Sequence, residues 1–401
     1  FPPSCAGIPC QLLHGGPGSA AAVFPAAAVF PAAAVFPEAE YFPAAICGDQ
    51  PVPPFSNLQA ITYAPAPGLT VSTQFEGEVF EMEDQRNWTD ASFKVYCTPL
   101  SAPFPVQIQA GQKITQRIFL RVDEETAARP FTQPAARQAE IELGTSTYPL
   151  PPLGLGMASH AQGLAEVEVT RLRALRLSHL RADLRLPEPG FPEQLARAAR
   201  QAQELGVKLE AALFLSANHP AELARLRQAL EGLRPQVASW LIYPEREYLG
   251  GGAPMQALVE SARRSLGDYD PQALFCAGTN ADLIFLQRNP PPASQIERVC
   301  LAINPQVHAS DTPSLVETLP MQGEVIANAR RLAGGRPVTV SPVTLKPRFN
   351  PYATAPRSTD PGELPPEVDE RQRSLFCAGW TLASLAAIAQ AGAASVTYYE
   401  T

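Results

Sequence analysis

The first 85 residues of this 401-residue chain contain neither lysine nor arginine, and the first cation is Arg86. The charged region of a secretory signal is therefore missing. Positive charge is scarce throughout. A net charge of −8 argues against nucleic acid or an anionic membrane as the main partner. No unbroken apolar run approaches the ~18 residues that span a bilayer. The seven cysteines, Cys5, Cys10, Cys47, Cys97, Cys276, Cys300 and Cys377, are odd in number, scattered and without a Cys-x-x-Cys pair. Neither a disulfide framework nor a zinc site is indicated; Cys276 and Cys300 sit in apolar strand-like runs and read as small buried hydrophobes. His-x-His and His-Glu-x-x-His are absent, so no metal is assigned. Only a set drawn from different strands, such as Glu245, Asp282, His308 and Glu400, could hold a divalent ion. No cofactor is expected, and the chain reads as cytoplasmic.

What is present at the N-terminus is a repeat. Val-Phe-Pro-Ala-Ala-Ala occurs twice from Val23, followed by Val35-Phe36-Pro37-Glu38-Ala39-Glu40 and Tyr41-Phe42-Pro43. Proline at every sixth position forbids a continuous helix and removes donors from a strand. So short a unit cannot build its own core. Residues 1–40 are expected to be disordered and without function.

Residues 41–145 read as an antiparallel β-sandwich. Short alternating runs at 59–63, 69–75, 79–82, 92–97, 106–109 and 114–122 are separated by turn residues such as Ala66-Pro67-Gly68. The stretch 124–138, with two prolines, looks like a linker. From about residue 150 to 401 the texture becomes strand–helix alternation. Strands are expected at 153–158, 180–186, 209–215, 238–243, 273–277, 298–303, 337–343 and 394–399, with helices including 192–205, 221–233 and 314–333. Eight strands over about 250 residues indicate a (β/α)8 TIM barrel. An open doubly wound sheet is the rival, but no Gly-x-Gly-x-x-Gly follows the first strand.

In such a barrel the chemistry sits at the C-terminal strand ends. Strand 1 delivers Ser159 and His160, strand 2 Asp183 and Arg185, and strand 3 Asn218 and His219. Strand 4 ends in Tyr243-Pro244-Glu245, strand 5 in Thr279-Asn280-Ala281-Asp282, strand 6 in Asn304-Pro305-Gln306-Val307-His308. Strand 7 ends in Lys346-Pro347-Arg348-Phe349-Asn350, and strand 8 in Glu400. Each has a plainer reading. Asp183 suits an internal ion pair with Arg181 or Arg185, and His160 or His219 can cap a helix. Lys346 and Arg348 can bind substrate oxygens or merely neutralise nearby glutamates. A carboxylate just after a barrel strand is costly unless paired or used, so Glu245 and Glu400 form the sharpest catalytic pair, with His308 beside them.

The densest polar stretch runs from Phe80 to Lys94: Phe-Glu-Met-Glu-Asp-Gln-Arg-Asn-Trp-Thr-Asp-Ala-Ser-Phe-Lys. It packs four carboxylates, two bases, two amides and a tryptophan into fifteen residues without glycine or proline. Buried groups so close must satisfy one another. It suits a network joining two sheets or domains, or a sugar-sized pocket in which Trp88 stacks and Arg86 binds. This stretch resembles the D-apionate lactonase family, as do Ile303-Asn304-Pro305-Gln306-Val307-His308, the run from Ser341 to Asn350, and Ser395-Val396-Thr397-Tyr398-Tyr399-Glu400-Thr401. The likeness covers the chain from roughly Tyr41 onward. It implies a β-sandwich, a TIM barrel, a further small β domain that this chain lacks, and opening of D-apionolactone to D-apionate by a carboxylic ester hydrolase of apiose catabolism.

A retaining glycosidase on the same barrel is the alternative. It would place its acid/base after strand 4, where Glu245 stands, and a nucleophilic carboxylate after strand 7. There the chain has Lys346 and Arg348, while Glu400 lies one strand on, which alters the short carboxyl separation that retention requires. A lactone asks instead for one base to activate water and donors for the oxyanion. A non-catalytic carbohydrate-binding protein is the second alternative, but it has little use for so many ionisable groups on one rim. The expected assignment is Glu245, Glu400 and His308 as catalytic residues. His160, Asn280, Asp282, Asn304, Lys346, Arg348, Trp88 and Arg86 would then hold a small sugar lactone.

Overall fold

The alternating runs and the strand–helix repeats form two separate units. The computed structural model describes residues 1–15, 40–103, 105–124, 147–158, 160, 162–245, 254–292, 294–349 and 364–401. One unit comprises Phe1–Arg86 and Ala91–Thr147; the other comprises Asn87–Asp90 and Tyr148–Thr401.

The first unit is antiparallel. Strands β1 (Pro9–His14), β2 (Glu40–Tyr41), β3 (Leu58–Ala66), β4 (Leu69–Glu76) and β7 (Arg117–Glu124) make a five-stranded sheet in the order β2-β1-β3-β4-β7. The β3–β4 turn passes through Gly68 at φ +74°, a conformation open to glycine. Strands β5 (Glu81–Asp84) and β6 (Phe93–Tyr96) form a separate hairpin. Ile61 and Phe75 of the sheet and Met82 and Phe93 of the hairpin share one buried cluster with Phe42 and Phe55, so the two layers enclose a common core. The strand expected at 106–109 does not form. Pro103 and Pro105 precede it and Gly111 turns at φ +82°, so the run has neither the donors nor the continuity for a ladder. A second correction concerns the N-terminal residues. Pro9–His14 is a paired strand whose Cys10 is fully buried, because that segment finds β3 as a partner and needs no core of its own. Residues 16–39, with most of the repeat, lie outside the described residues, as does most of the expected linker.

The second unit is a closed parallel barrel of β8 (Leu153–Gly156), β9 (His179–Arg185), β10 (Lys208–Leu215), β11 (Val237–Pro244), β12 (Leu274–Gly278), β13 (Arg298–Ile303), β14 (Val338–Val343) and β15 (Ser395–Glu400). Helices α1 (Glu166–Ala174), α2 (Phe191–Leu205), α3 (His219–Leu233), α4 (Met255–Leu266), α5 (Leu283–Arg288), α6 (Thr312–Glu317), α7 (Leu319–Leu332) and α8 (Leu375–Gln390) occupy the connections. The single helix expected at 314–333 is two, divided at Thr318. Pro320 lies in the first turn of α7, where a proline starts a helix more readily than it continues one.

Polar residues occupy part of the barrel interior. His179 Nε2 lies 2.8 Å from Thr397 Oγ1, and Thr397 donates to Glu210 Oε1 at 2.7 Å. Ser341 donates to the same carboxylate oxygen and accepts from Arg181 Nη1 at 2.9 Å. All five side chains are buried. Groups this deep persist because each satisfies the next. Gly154 is required by this chain of contacts, since a Cβ there would fall 2.2 Å from His179 Nε2.

Candidate active site

Barrel strands β12, β13 and β14 end in loops whose side chains line a cavity of about 340 Å³. Asn280 and Asp282 come from the loop after β12, Asn304 and Gln306 from that after β13, and Lys346 and Arg348 from that after β14. Trp88, in the Asn87–Asp90 segment of the same unit, supplies an aromatic wall. It packs with Phe349 against Ala281, Ile284 and Phe285. Asn87 Oδ1 accepts from Gln287 Nε2 at 2.7 Å, fixing the segment to the end of α5.

The ionisable groups around this cavity differ sharply in environment. Asp282 is 5% exposed and accepts from Asn304 Nδ2 at 3.0 Å. Burial pushes its carboxyl up to about 8, the negative charge of Asp90 adding to the effect and the Asn304 bond only partly opposing it. Asp282 therefore carries a proton near neutral pH. Asp90 is buried and lies 2.7 Å from His308 Nδ1. That carboxylate fixes the imidazole with its proton on Nδ1 and leaves Nε2 as the basic nitrogen. The Trp88 and His308 rings meet edge to face, with centroids 5.3 Å apart.

Arg348 joins this cavity to a second one of about 270 Å³, which is also lined by Arg181, Asp183, Tyr399 and Glu400. Its Nη2 donates to Asp183, and Asp183 also accepts from Arg181 Nε at 2.8 Å. Burial alone would raise the Asp183 carboxyl, but Arg181 and Arg348 outweigh it and hold it well below the usual range. The internal ion pair read from the sequence is thus formed with Arg181, and Arg348 joins it. Arg348 Nη1 is buried without a hydrogen-bond partner among the described residues, and so is Asn304 Oδ1. A donor and an acceptor at one cavity, both unsatisfied, are unusual in a folded protein.

Two family models match this chain: residues 33–125 match the D-apionate lactonase N-terminal domain, and residues 153–401 the D-apionate lactonase TIM barrel domain. The chain belongs to the D-apionate lactonase family. A D-apionate lactonase of Brucella anthropi is 27% identical over 381 residues, covering 87% of this chain and 58% of that protein. The chain thus spans less than two thirds of that relative's length. Among solved structures, a family 39 glycoside hydrolase from Bacteroides cellulosilyticus aligns at TM-score 0.42 and 11% identity, over 63% of this chain and 56% of the other. An exo-β-1,4-mannosidase from an Opitutaceae bacterium aligns at 0.40 and 13%, over 64% and 54%. Likeness at this level bears on neither substrate nor mechanism.

The stretches that resemble the D-apionate lactonase family converge here. Trp88, Asn304, Lys346 and Arg348 come from three of them and line one cavity, with Asn280 and Asp282. Asn280 is engaged from within, accepting from Arg181 Nη2 at 2.6 Å. Lys346 Nζ donates to the Val368 carbonyl at 3.0 Å. Other expected residues lie elsewhere. Glu245 is exposed just beyond the end of β11 at Pro244 and lines neither cavity. Glu400 lines the second cavity with Arg348, so only one of the expected glutamates adjoins the cationic groups. His160 is exposed, and its carbonyl accepts from Arg197; Ser159 and Asn350 lie outside the described residues. Arg86, expected to bind substrate, belongs to the first unit and lines neither cavity. Its Nε and Nη2 both bond Asp84, at 2.8 and 2.7 Å, and Nη2 also donates to the Pro43 carbonyl at 2.7 Å. The guanidinium stacks 4.4 Å over Phe93. Its donors are spent on holding the hairpin.

Sequence reasoning passed over Asp90 and Gln306 as site residues. Gln306 accepts from Arg371 at 3.0 Å and donates to Asp369 at 2.7 Å, anchoring the chain that leads into α8. Asp90 was within reach, standing two residues from Trp88 in the same polar stretch, but its partner His308 is 218 residues away. No group of three His, Cys, Asp or Glu placed to hold a metal occurs among the described residues. No helix among them is long and apolar enough to cross a membrane.

Proposed function

We propose that the chain hydrolyses a five-membered sugar lactone, D-apionolactone to D-apionate, in the cavity beyond β12, β13 and β14. The observations that carry this reading are that Asp282, whose carboxyl burial raises to about 8, and Arg348, with a guanidinium nitrogen unsatisfied among the described residues, line this cavity, and that His308, oriented by Asp90, packs edge to face on the wall residue Trp88. Trp88 offers a face for the sugar ring, and Asn304 Oδ1 an acceptor for a hydroxyl.

In this mechanism His308 Nε2 takes a proton from water as its oxygen attacks the lactone carbonyl. Arg348 Nη1 stabilises the oxyanion of the tetrahedral intermediate, with the cation of Lys346 close by. Collapse breaks the bond to the ring oxygen, which leaves with a proton from Asp282. The imidazolium gives up its proton, the Asp282 carboxyl is restored, and the product is an open-chain hydroxy acid. Asp183 balances the charge of Arg348, and Glu400 lines the same second cavity. A nucleophilic carboxylate for the glycosidase alternative has no counterpart among the residues lining the first cavity apart from Asp282, which is protonated near neutral pH.

The test is turnover of D-apionolactone, other aldonolactones and aryl glycosides, with chelator added and omitted, by the chain and its His308→Ala variant. Lactone opening that is chelator-insensitive and falls roughly 10²–10⁴-fold in the variant is expected. Aryl glycoside cleavage without lactone opening would overturn the reading.

A further inference from the structure

The opposite rim of the barrel carries a larger cavity, of about 860 Å³, that the lactone chemistry does not use. It is walled by the starts of the barrel strands, at Pro152, Lys208, Ser239, Arg298 and Ser395, and by α2 and the end of α3. Four cations line it: Arg200, Lys208, Arg234 and Arg298. None of the four forms an ion pair among the described residues, whereas several surface arginines elsewhere in the barrel unit do.

Among the described residues only one carboxylate lines the cavity, that of Glu210, and it is already engaged. Its Oε1 accepts from Thr397 and Ser341, and its Oε2 lies 3.4 Å from Ser239 Oγ and 3.6 Å from His179 Nε2. Of the remaining polar lining, Gln203 and Gln236 can donate hydrogen bonds, whereas the Ser178 and Ser395 hydroxyls already donate to the Leu153 carbonyl and to Thr339 Oγ1. An unneutralised concentration of positive charge in a concave site raises the local concentration of counter-ions. In a chain of net charge −8, so local a reversal of sign is a feature of this rim and not of the composition.

We infer that this N-terminal rim binds a small multivalent oxyanion, either a phosphate ester or a polycarboxylate, at a site separate from the lactone-opening cavity. The volume admits a metabolite of sugar-phosphate size rather than a bare ion alone. The charges are those that recognise phosphate or carboxylate oxygens, with the arginines able to bond in pairs.

The experiment is isothermal titration of the chain with ribose 5-phosphate, citrate and inorganic phosphate, each against sodium chloride of matched ionic strength. Arg200→Glu/Lys208→Gln is titrated alongside, and Arg200→Gln serves as a milder variant should the first fail to fold. Saturable binding of the ester or of citrate above the chloride control identifies the source. It should vanish in the double variant and weaken about three- to tenfold in the single one. Absence of saturable binding by any of the three anions overturns the inference. So does binding that both variants leave unchanged, since the anion would then be held elsewhere.

Discussion

Replacing Asp282 with asparagine should flatten the dependence of the barrel's stability on pH. The carboxyl has an ordinary value of 3.8 and is lifted to about 8 in the folded chain by burial, with the charge of Asp90 adding to it. Between those limits the folded state keeps a proton that the unfolded state has released. Stability therefore falls by about 1.4 kcal/mol for each pH unit as pH rises from about 4 to 8, and this contribution is flat above. The sign is opposite to that of a salt-bridged aspartate, whose stabilisation is lost on acidification. Water entering the cavity reduces the effect, so the total is a few kcal/mol rather than the full product of slope and range. Asparagine retains an oxygen to accept from Asn304 Nδ2, and it cannot ionise. Urea unfolding from pH 4 to 8, followed by tryptophan fluorescence, isolates the relevant unit, because Trp88, Trp240 and Trp380 all lie in it. The two stability curves should converge near pH 4 and separate progressively, with the variant the more stable at pH 8. Parallel curves would mean that Asp282 ionises normally, and the proton donor in the proposed mechanism would be lost with it.

Asp90→Asn should keep the shape of the site and lose the charge that orients His308, lowering lactone turnover by roughly 10²-fold or more and altering its pH profile. Arg348→Met removes the unsatisfied donor and should cost roughly 10²–10³ in kcat, read by steady-state kinetics, with KM changed far less. Glu245→Gln should leave turnover within about twofold, whereas roughly a 10²-fold loss would restore this residue to the role the strand ends suggested. Arg86→Met leaves Asp84 buried without its cation and should destabilise the first unit by about 3–5 kcal/mol, seen as a lowered melting transition in far-UV circular dichroism.

The fold was legible because both periodicities are strong. Each barrel strand lies within two residues of the range read from the apolar runs at its start and its end, and β13 coincides with it. Parallel strands buried on both faces write themselves as continuous apolar segments, such as Ala211 to Leu215. The failures were local and share a cause: the pattern of apolar residues does not report backbone donors. Residues 106–109 alternate properly yet lie between prolines and a left-handed glycine. The split between α6 and α7 is likewise set by a proline within an unbroken amphipathic pattern.

The candidate site was partly legible, and the part that was not has a physical cause. Strand ends name which residues reach the rim, so Asn280, Asp282, Asn304, Lys346 and Arg348 fell out of the alternation alone. Strand ends do not state what each side chain meets there. Glu245 and Asp282 look equivalent in sequence, one carboxylate apiece just beyond a barrel strand. Glu245 is exposed just after Pro244, while Asp282 is buried at the N-cap of α5 and accepts a hydrogen bond from Asn304. The difference between a solvated carboxylate and a buried one whose proton is held to higher pH is thus made by burial and by neighbours from the next strand, Asn304, and from the polar stretch far upstream, Asp90. Arg86 shows the same from the other side. In sequence it stands two residues from Trp88 and seems part of one polar pocket, yet a carboxylate two residues before it, Asp84, takes two of its donors. Its Nη2 also donates to the Pro43 and Ala45 carbonyls and its Nη1 to that of Ala44, so this buried guanidinium is committed within the first unit, whereas Arg348, sharing Asp183 with Arg181, keeps one nitrogen unsatisfied among the described residues. That donor, unsatisfied among the described residues, and not the mere presence of arginine at a rim, is what the role proposed for Arg348 rests on.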